Sequence, residues 1–144
     1  MHLTEHTDFG LRVLLLLAHR NPQRQSVKRL ATEYEVSYPH LQKVVQNLAG
    51  AGFVETHRGR GGGVQLARDA EDICVGDVVR ALEPHLALVP CLGPDDSCAI
   101  TGGCGLTEVF ARARRAMLAE LDRATLADVT QQSPALILLP RTRA

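Results

Sequence analysis

The chain has 144 residues, enough for one ordinary domain with or without a short oligomerising element. Apolar residues make up 45% of it, but there is no Trp and aromatics are only 3%, so any core must be aliphatic. Lys plus Arg equals Asp plus Glu at 16 each, and the longest apolar run, Val13 to Ala18, is far below the roughly 20 residues that a membrane span needs.

The zero net charge conceals an asymmetry. Residues 1–68 carry nine Lys or Arg against five Asp or Glu, whereas residues 69–144 carry seven against eleven. A basic first half joined to an acidic second half fits a nucleic-acid-reading unit attached to a non-binding one. The opening Met1-His2-Leu3-Thr4-Glu5 lacks the basic start and small-residue cleavage site of a signal peptide, so the cytoplasm is the expected compartment.

In chain order, Thr7 is expected to cap a helix from Asp8 to about His19, with Asp8 in the first turn where a carboxylate suits the helix dipole. Leu11 and Val13 to Ala18 make this helix apolar almost all round, so most of it should be buried. Asn21-Pro22 ends it. Ser26 caps a second helix, Val27 to Tyr34, and Ser37 a third, with Pro39 in its first turn. Leu41, Val44, Val45 and Leu48 of the third helix fall at i, i+3, i+4 and i+7, leaving Tyr38, His40, Gln42, Lys43, Gln46 and Asn47 outside. Two short helices with a tight turn, the second bearing donors on its outer face, form either a helix-turn-helix or a plain helical hairpin.

The following segment favours the first. Phe53 to His57 reads as a strand, Arg58-Gly59-Arg60-Gly61-Gly62-Gly63 as a turn and Val64 to Ala67 as the returning strand. A hairpin directly after a recognition helix is the wing of a winged helix, and Arg58 and Arg60 at its tip suit phosphate or the minor groove. The same Gly-rich turn lacks the Lys-Ser/Thr ending of a phosphate-binding P-loop and leads into a strand, not a helix. Tyr38, His40 and Lys43 are the candidates for base contact in the major groove.

Ile73 to Glu83 has Val75, Val78, Val79 and Leu82 at helical spacing, with Cys74 at the start of the stripe as a small buried residue. Leu106, Val109, Phe110, Ala113, Met117, Leu121 and Ala124 mark one face of a helix of about 19 residues, with Glu108 and Arg112 as an i,i+4 pair opposite. So long an amphipathic helix beside a small winged unit is expected to bury its stripe against its own copy. Thr125, with Asp128 three residues on, caps a last short helix.

Between these helices, Cys91, Cys98 and Cys104 lie within 14 residues that also hold three glycines and a proline, an irregular backbone able to gather three sulfurs. A disulfide framework would have to enlist Cys74 and close a strained loop. Structural zinc sites take thiols in tighter pairs, whereas an iron-sulfur cluster spans wider gaps but needs four ligands, so a fourth must come from elsewhere. A metalloenzyme is the alternative from another class. The His residues at 2, 6, 19, 40, 57 and 85 have no metal-ligand or triad spacing, and no catalytic residues are assigned. The expected architecture is mainly α with a small β-hairpin. It comprises a winged helix-turn-helix over residues 1–70, a connecting helix over 71–90, a cysteine cluster-binding loop over 91–104, a dimerisation helix and short terminal helix over 105–131, and a tail over 132–144.

The Leu3-Thr4-Glu5-His6-Thr7-Asp8-Phe9-Gly10-Leu11-Arg12 opening, the Arg58-Gly59-Arg60-Gly61-Gly62-Gly63-Val64 wing, Val75 to Pro84, the three-cysteine loop and Leu126-Ala127-Asp128-Val129 together resemble the Rrf-type winged-helix iron-sulfur regulators, in particular their nitric-oxide-sensing branch. The resemblance covers about residues 2 to 131. It implies a homodimeric repressor of a pseudo-palindromic operator, with one iron-sulfur cluster per subunit, released from DNA when nitric oxide attacks the cluster. It also implies that Cys91, Cys98 and Cys104 ligate the cluster. The branch that regulates iron-sulfur biogenesis places a His three residues after the third cysteine, where this chain has Thr107. The nitric-oxide branch takes an Asp from the start of the other subunit's first helix, which matches the partner subunit's Asp8. A 4Fe-4S cluster is favoured, with 2Fe-2S as the alternative, and a sensor of iron-sulfur or redox status is the alternative function.

Overall fold

The computed structural model describes residues 2–93, 98–100 and 102–134. Among them the elements are α1 Glu5–Arg20, α2 Val27–Glu33, α3 Tyr38–Gly50, β1 Val54–His57, β2 Gly63–Leu66, α4 Val75–Leu82, α5 Gly105–Leu121 and α6 Leu126–Gln131. Single 3₁₀ turns lie at Ala70–Asp72 and Pro90–Leu92. The fold is mainly α with one small hairpin, as expected. Residues 94–97 of the cysteine loop and 135–144 of the expected tail lie outside the described residues.

Helix α1 is the hub, because its body from Val13 to Ala18 is apolar on every side. Val13, Leu14, Leu16 and Leu17 are all but solvent-free, and α3, α4, α6 and β2 pack around them. Leu30 of α2 and Leu41, Val44, Val45 and Leu48 of α3 complete the inner core, the α3 set being the stripe read from its periodicity. Each such Leu stabilises the fold by about 2 kcal/mol through removal from water. Ile73, Val78, Leu82 and Leu126 join the same core, so α4 and α6 close the winged unit. At Gly10 α1 comes so near α4 that an added Cβ would strike Leu82 Cδ1, with Val44 close behind. Gly10→Val is therefore expected to lower stability by about 1–3 kcal/mol, read as a fall in the thermal midpoint.

The start of α1 differs from the expectation. The cap is Thr4, one turn earlier than Thr7, and Thr7 is buried inside the helix. The physical reason lies 79 residues away: Glu83 Oε2 accepts from the Thr4 N–H at 3.1 Å, the Thr4 hydroxyl at 3.1 Å and the Thr7 hydroxyl at 2.7 Å. In a capping box that acceptor comes from the third helical residue; here the end of α4 supplies it. Asp8 remains in the first turn.

Strands β1 and β2 pair antiparallel, Val54 opposite Leu66 and His57 opposite Gly63, which places Arg58 and Arg60 at an exposed tip. Gly59 and Gly61 there adopt φ of +88° and +76°, conformations that favour glycine. A third, one-residue strand was not read from the sequence: Gln25 exchanges both backbone hydrogen bonds with Val64, at 2.9 and 2.8 Å. Its amide oxygen accepts from Arg20 at 2.9 Å, and Arg20 pairs with Glu33 at 3.1 Å, so the wing is tied to the ends of α1 and α2.

Candidate metal centre and nucleic-acid interface

All four cysteines are free thiols. Cys104 is the N-cap residue of α5 and is half-buried, two residues after Gly102, whose φ of +86° turns the chain toward the helix. The 3₁₀ turn at Pro90–Leu92 returns Cys91 to the same helix end, where its Sγ lies 4.0 Å from the Thr107 hydroxyl. Thr107 N–H in turn donates to the Cys104 carbonyl at 3.2 Å. Cys91 and Cys104 thus both lie beside the first turn of α5, where the helix dipole favours thiolate and anionic ligands, but among the described residues the three loop thiols are not gathered within 4.8 Å of one another. Cys98 is exposed. The donor set fits an iron-sulfur group: soft sulfurs, unoxidised, on an irregular segment anchored at both ends. Thr107 stands three residues after Cys104, and its neutral hydroxyl is a poor ligand for iron.

Asp8 is half-exposed and pairs with Arg12 at 2.8 Å on the outer face of α1. Within one protomer it is thus available to a neighbour instead of being committed to the core. It shares its helical turn with His6 and Phe9, which face α3. Asn47 Nδ2 lies 3.0 Å from His6 Nε2; an amide N–H₂ can only donate, so the imidazole nitrogen accepts and the ring is neutral. Burial, then the charges of His40 and Lys43, hold the His6 pKa below its usual value, which keeps it in that state. His40 lies parallel to His6 at 6.4 Å and edge-on to Phe9 at 5.5 Å. On the far side of the turn, burial pushes the Glu83 carboxyl up, but the hydrogen bonds from Thr7 and Thr4 outweigh it and leave the group below the ordinary carboxylate range.

The polar face of α3 is open, but not uniformly. Tyr38 is 45% exposed, and Gln42, Lys43, Gln46 and Asn47 are exposed, whereas His40 is half-buried against α1. At 100° per residue, Pro39, Lys43 and Gln46 point most directly away from the core, so Gln46 joins Lys43 at the centre of the face. Gln46, left outside by the same core stripe as Tyr38, His40 and Lys43, belongs with them on the candidate reading face. Arg58 and Arg60 project from the wing as expected.

The second cysteine-containing cluster is a joint, not a metal centre. Candidate ligand atoms of Cys74, Asp77 and Asp122 lie within 4.8 Å of one another. Arg80 already fills the space: its guanidinium meets both Asp122 oxygens at 2.6 Å and Asp77 at 3.4 Å. The donated bonds hold the Asp122 carboxyl below its ordinary pKa. Cys74 stands at the N-cap position of α4 and is half-buried, less enclosed than the small buried residue expected, with its Sγ 3.6 Å from the Asp122 carbonyl. Gly76 is needed because a Cβ there would collide with Asp122 Oδ1. This joint, with Val75 N–H on the Ala124 carbonyl at 3.0 Å, fixes the far end of α5 to the winged unit.

Cover along α5 is thin: none of its residues is buried, Leu106 and Val109 are 61% and 47% exposed, and Phe110 and Met117 are half-buried, Met117 in a cavity shared with Leu3, Glu83 and Leu86. Glu108 pairs with Arg115 at 2.9 Å, two turns on, not with Arg112 as expected. Among the described residues no helix is long and apolar enough to cross a membrane.

A three-helix core, a recognition helix with an open polar face and a wing with basic residues at its tip define a winged-helix DNA-binding regulator. The sequence profile of the Rrf2 family, described as an iron-dependent transcriptional regulator, matches residues 3–132. The HTH-type transcriptional regulator NsrR of Bacillus subtilis is 42% identical over 141 residues, covering 96% of this chain and 97% of that one. Among solved structures, a transcriptional regulator from Listeria innocua superposes with a TM-score of 0.75 at 32% identity, covering 92% of this chain and 88% of its own. The T. potens IscR structure gives 0.73 at 25% identity, with 100% and 93% covered. This chain belongs to the Rrf2 family of transcriptional regulators; it is a regulator, not an enzyme.

Proposed function

We propose that the protein is a cytoplasmic, homodimeric repressor that holds one iron-sulfur cluster per subunit on Cys91, Cys98 and Cys104, with the partner subunit's Asp8 as fourth ligand, and that nitrosylation of this cluster by nitric oxide releases its operator. The observation that carries the reading is the placing of Cys91 and Cys104 beside the first turn of a helix whose apolar stripe is nowhere buried in its own protomer. Residues 1–70 would read DNA, 71–90 connect, 91–104 hold the cluster, 105–131 dimerise, and 132–144 form a tail. The cluster, 4Fe-4S in preference to 2Fe-2S, supplies iron that nitric oxide can bind. The chain's own residues would do the rest: the three thiolates would hold the group, Asp8 would be the hardest and so the most readily displaced ligand, and the joint at Asp122 and Arg80 ties the far end of α5 to the winged unit.

Iron and sulfide counts after anaerobic purification distinguish the cluster types. A visible band that responds to stoichiometric nitric oxide but not to mild oxidants, together with weaker operator binding after the response, is the expected result. Equal operator affinity of the cluster-loaded and cluster-free forms would sink the reading. A sensor of iron-sulfur status is the second reading, favoured by the likeness to IscR; Thr107 at the helix end weighs against it.

On DNA, α3 enters the major groove with Tyr38, His40 and Lys43 near the bases, while Arg58 and Arg60 hold phosphate or the minor groove. Arg60→Ala is expected to weaken specific and random duplexes alike and to reduce the salt slope by about one unit in gel-shift titrations. His40→Ala should instead relax sequence preference.

A further inference from the structure

The first turn of α1 touches three things at once. Through Thr4 and Thr7 it is held by Glu83, the residue from which the chain departs toward the cysteine segment. Through His6 and Phe9 it holds α3, the first by the hydrogen bond to Asn47 at 3.0 Å, the second by the edge-on contact with His40 at 5.5 Å. Between those two faces Asp8 projects outward beside Arg12. Successive residues of a helix point about 100° apart, so His6, Asp8 and Phe9 cannot move independently: a pull on Asp8 turns the other two. The core stripe of α3 packs rigidly against α1, but Asn47 and His40 lie on its polar margin, next to Lys43. They are where a small rotation of α1 reaches the reading face first.

We infer that His6 and Phe9 are positioning residues that carry the ligation state of Asp8 to the recognition helix through Asn47 and His40. This rests on the reading that Asp8 of one subunit binds the other's cluster and that α3 reads DNA. Coupling between two sites is a ratio of affinities, so the quantity that belongs to His6 is the operator affinity of cluster-loaded protein divided by that of cluster-free protein. A residue that merely contacted DNA, or merely stabilised the fold, would change both affinities together and leave the ratio as it was.

The test measures that ratio for the full-length dimer as wild type, His6→Ala and His6→Gln at one fixed salt concentration. A second readout, independent of DNA, is the NMR shift of the His40 C2 proton in loaded and cluster-free protein. The expected result is that His6→Ala keeps its iron and sulfide content and its dimer, but that its ratio falls by about three- to tenfold. Its His40 signal should also stop responding to loading. His6→Gln, whose amide oxygen can still accept from Asn47, should recover most of the ratio. A wild-type ratio well above one that is unchanged in His6→Ala would overturn this inference and leave the proposed function standing. A wild-type ratio of one would overturn both. Loss of loading response on Asp8→Ala but not on His6→Ala would place the path elsewhere than through α3's polar margin.

Discussion

Val109→Asp is expected to leave each protomer folded and to dissociate the dimer. Val109 is 47% exposed on α5 and contributes nothing to the protomer's own core, so the substitution removes no contact from the winged unit. In the assembled state it would stand in the stripe formed by Leu106, Phe110, Ala113 and Met117, and each copy would bring an unpaired carboxylate into an apolar seam. An uncompensated buried charge costs several kcal/mol, about 3 kcal/mol or more even after relaxation, which weakens association by at least about 100-fold. Sedimentation at micromolar protein should show protomers, and circular dichroism should show helix content near that of wild type. Operator affinity should fall by about 100-fold as well, because two linked reading heads lose their shared effective concentration when the link is cut. A Val109→Asp protein that stayed dimeric would place the seam elsewhere than on this face.

How much of this was legible in the sequence depends on the range over which each cause acts. The α3 stripe, the hairpin and the Thr125–Asp128 capping box are local: their determinants are neighbours in the chain, and the structure has them where periodicity and turn chemistry put them. The start of α1 was misplaced because its deciding group, Glu83, is 79 residues from Thr4 and nothing near Thr4 signals it. Gln25 escaped for the same reason, since a one-residue strand has no period of its own and is defined by its partner Val64. Glu108 chose Arg115 over Arg112 because long exposed side chains at i+4 and i+7 compete within tenths of a kcal/mol, on the order of 0.3. The candidate metal centre was legible as a set of thiols but not as a geometry. Cysteine spacing says which residues can converge; that Cys91 returns to the first turn of α5 is set by the turn at Pro90–Leu92 and by where α4 ends.

Replacing Cys104 by Ser is expected to abolish the cluster, while Cys74→Ser retains it, and the pair decides between the two cysteine-containing sites. Both residues are half-buried, both are helix N-caps and both are free thiols, so burial and local structure do not tell them apart. Their surroundings do. Cys74 faces Asp77 and Asp122, with Arg80 paired to both, and a cation arriving there would have to expel a guanidinium held on Asp122 by two 2.6 Å contacts. Cys104 stands at a helix N-terminus whose turn also reaches Cys91, with no cation to displace. Neither cysteine side chain makes a capping hydrogen bond, and serine is a favoured N-cap residue of similar size, so neither variant should unfold the protein, and the readout is the site itself. For Cys104→Ser, iron and sulfide should fall to background and the visible band vanish, a loss of at least about 100-fold in retention of the group, at the upper end of what even outer-shell changes produce. Operator affinity should then match that of wild-type protein stripped of its cluster, lower than the loaded form by about tenfold or more. Cys74→Ser should keep full iron and sulfide and wild-type operator affinity, with a modest fall in thermal midpoint from the loosened joint at Asp122. The reverse pattern, iron lost from Cys74→Ser and kept by Cys104→Ser, would move the metal centre to Asp77 and Asp122 and with it the whole account of how this regulator lets go of DNA.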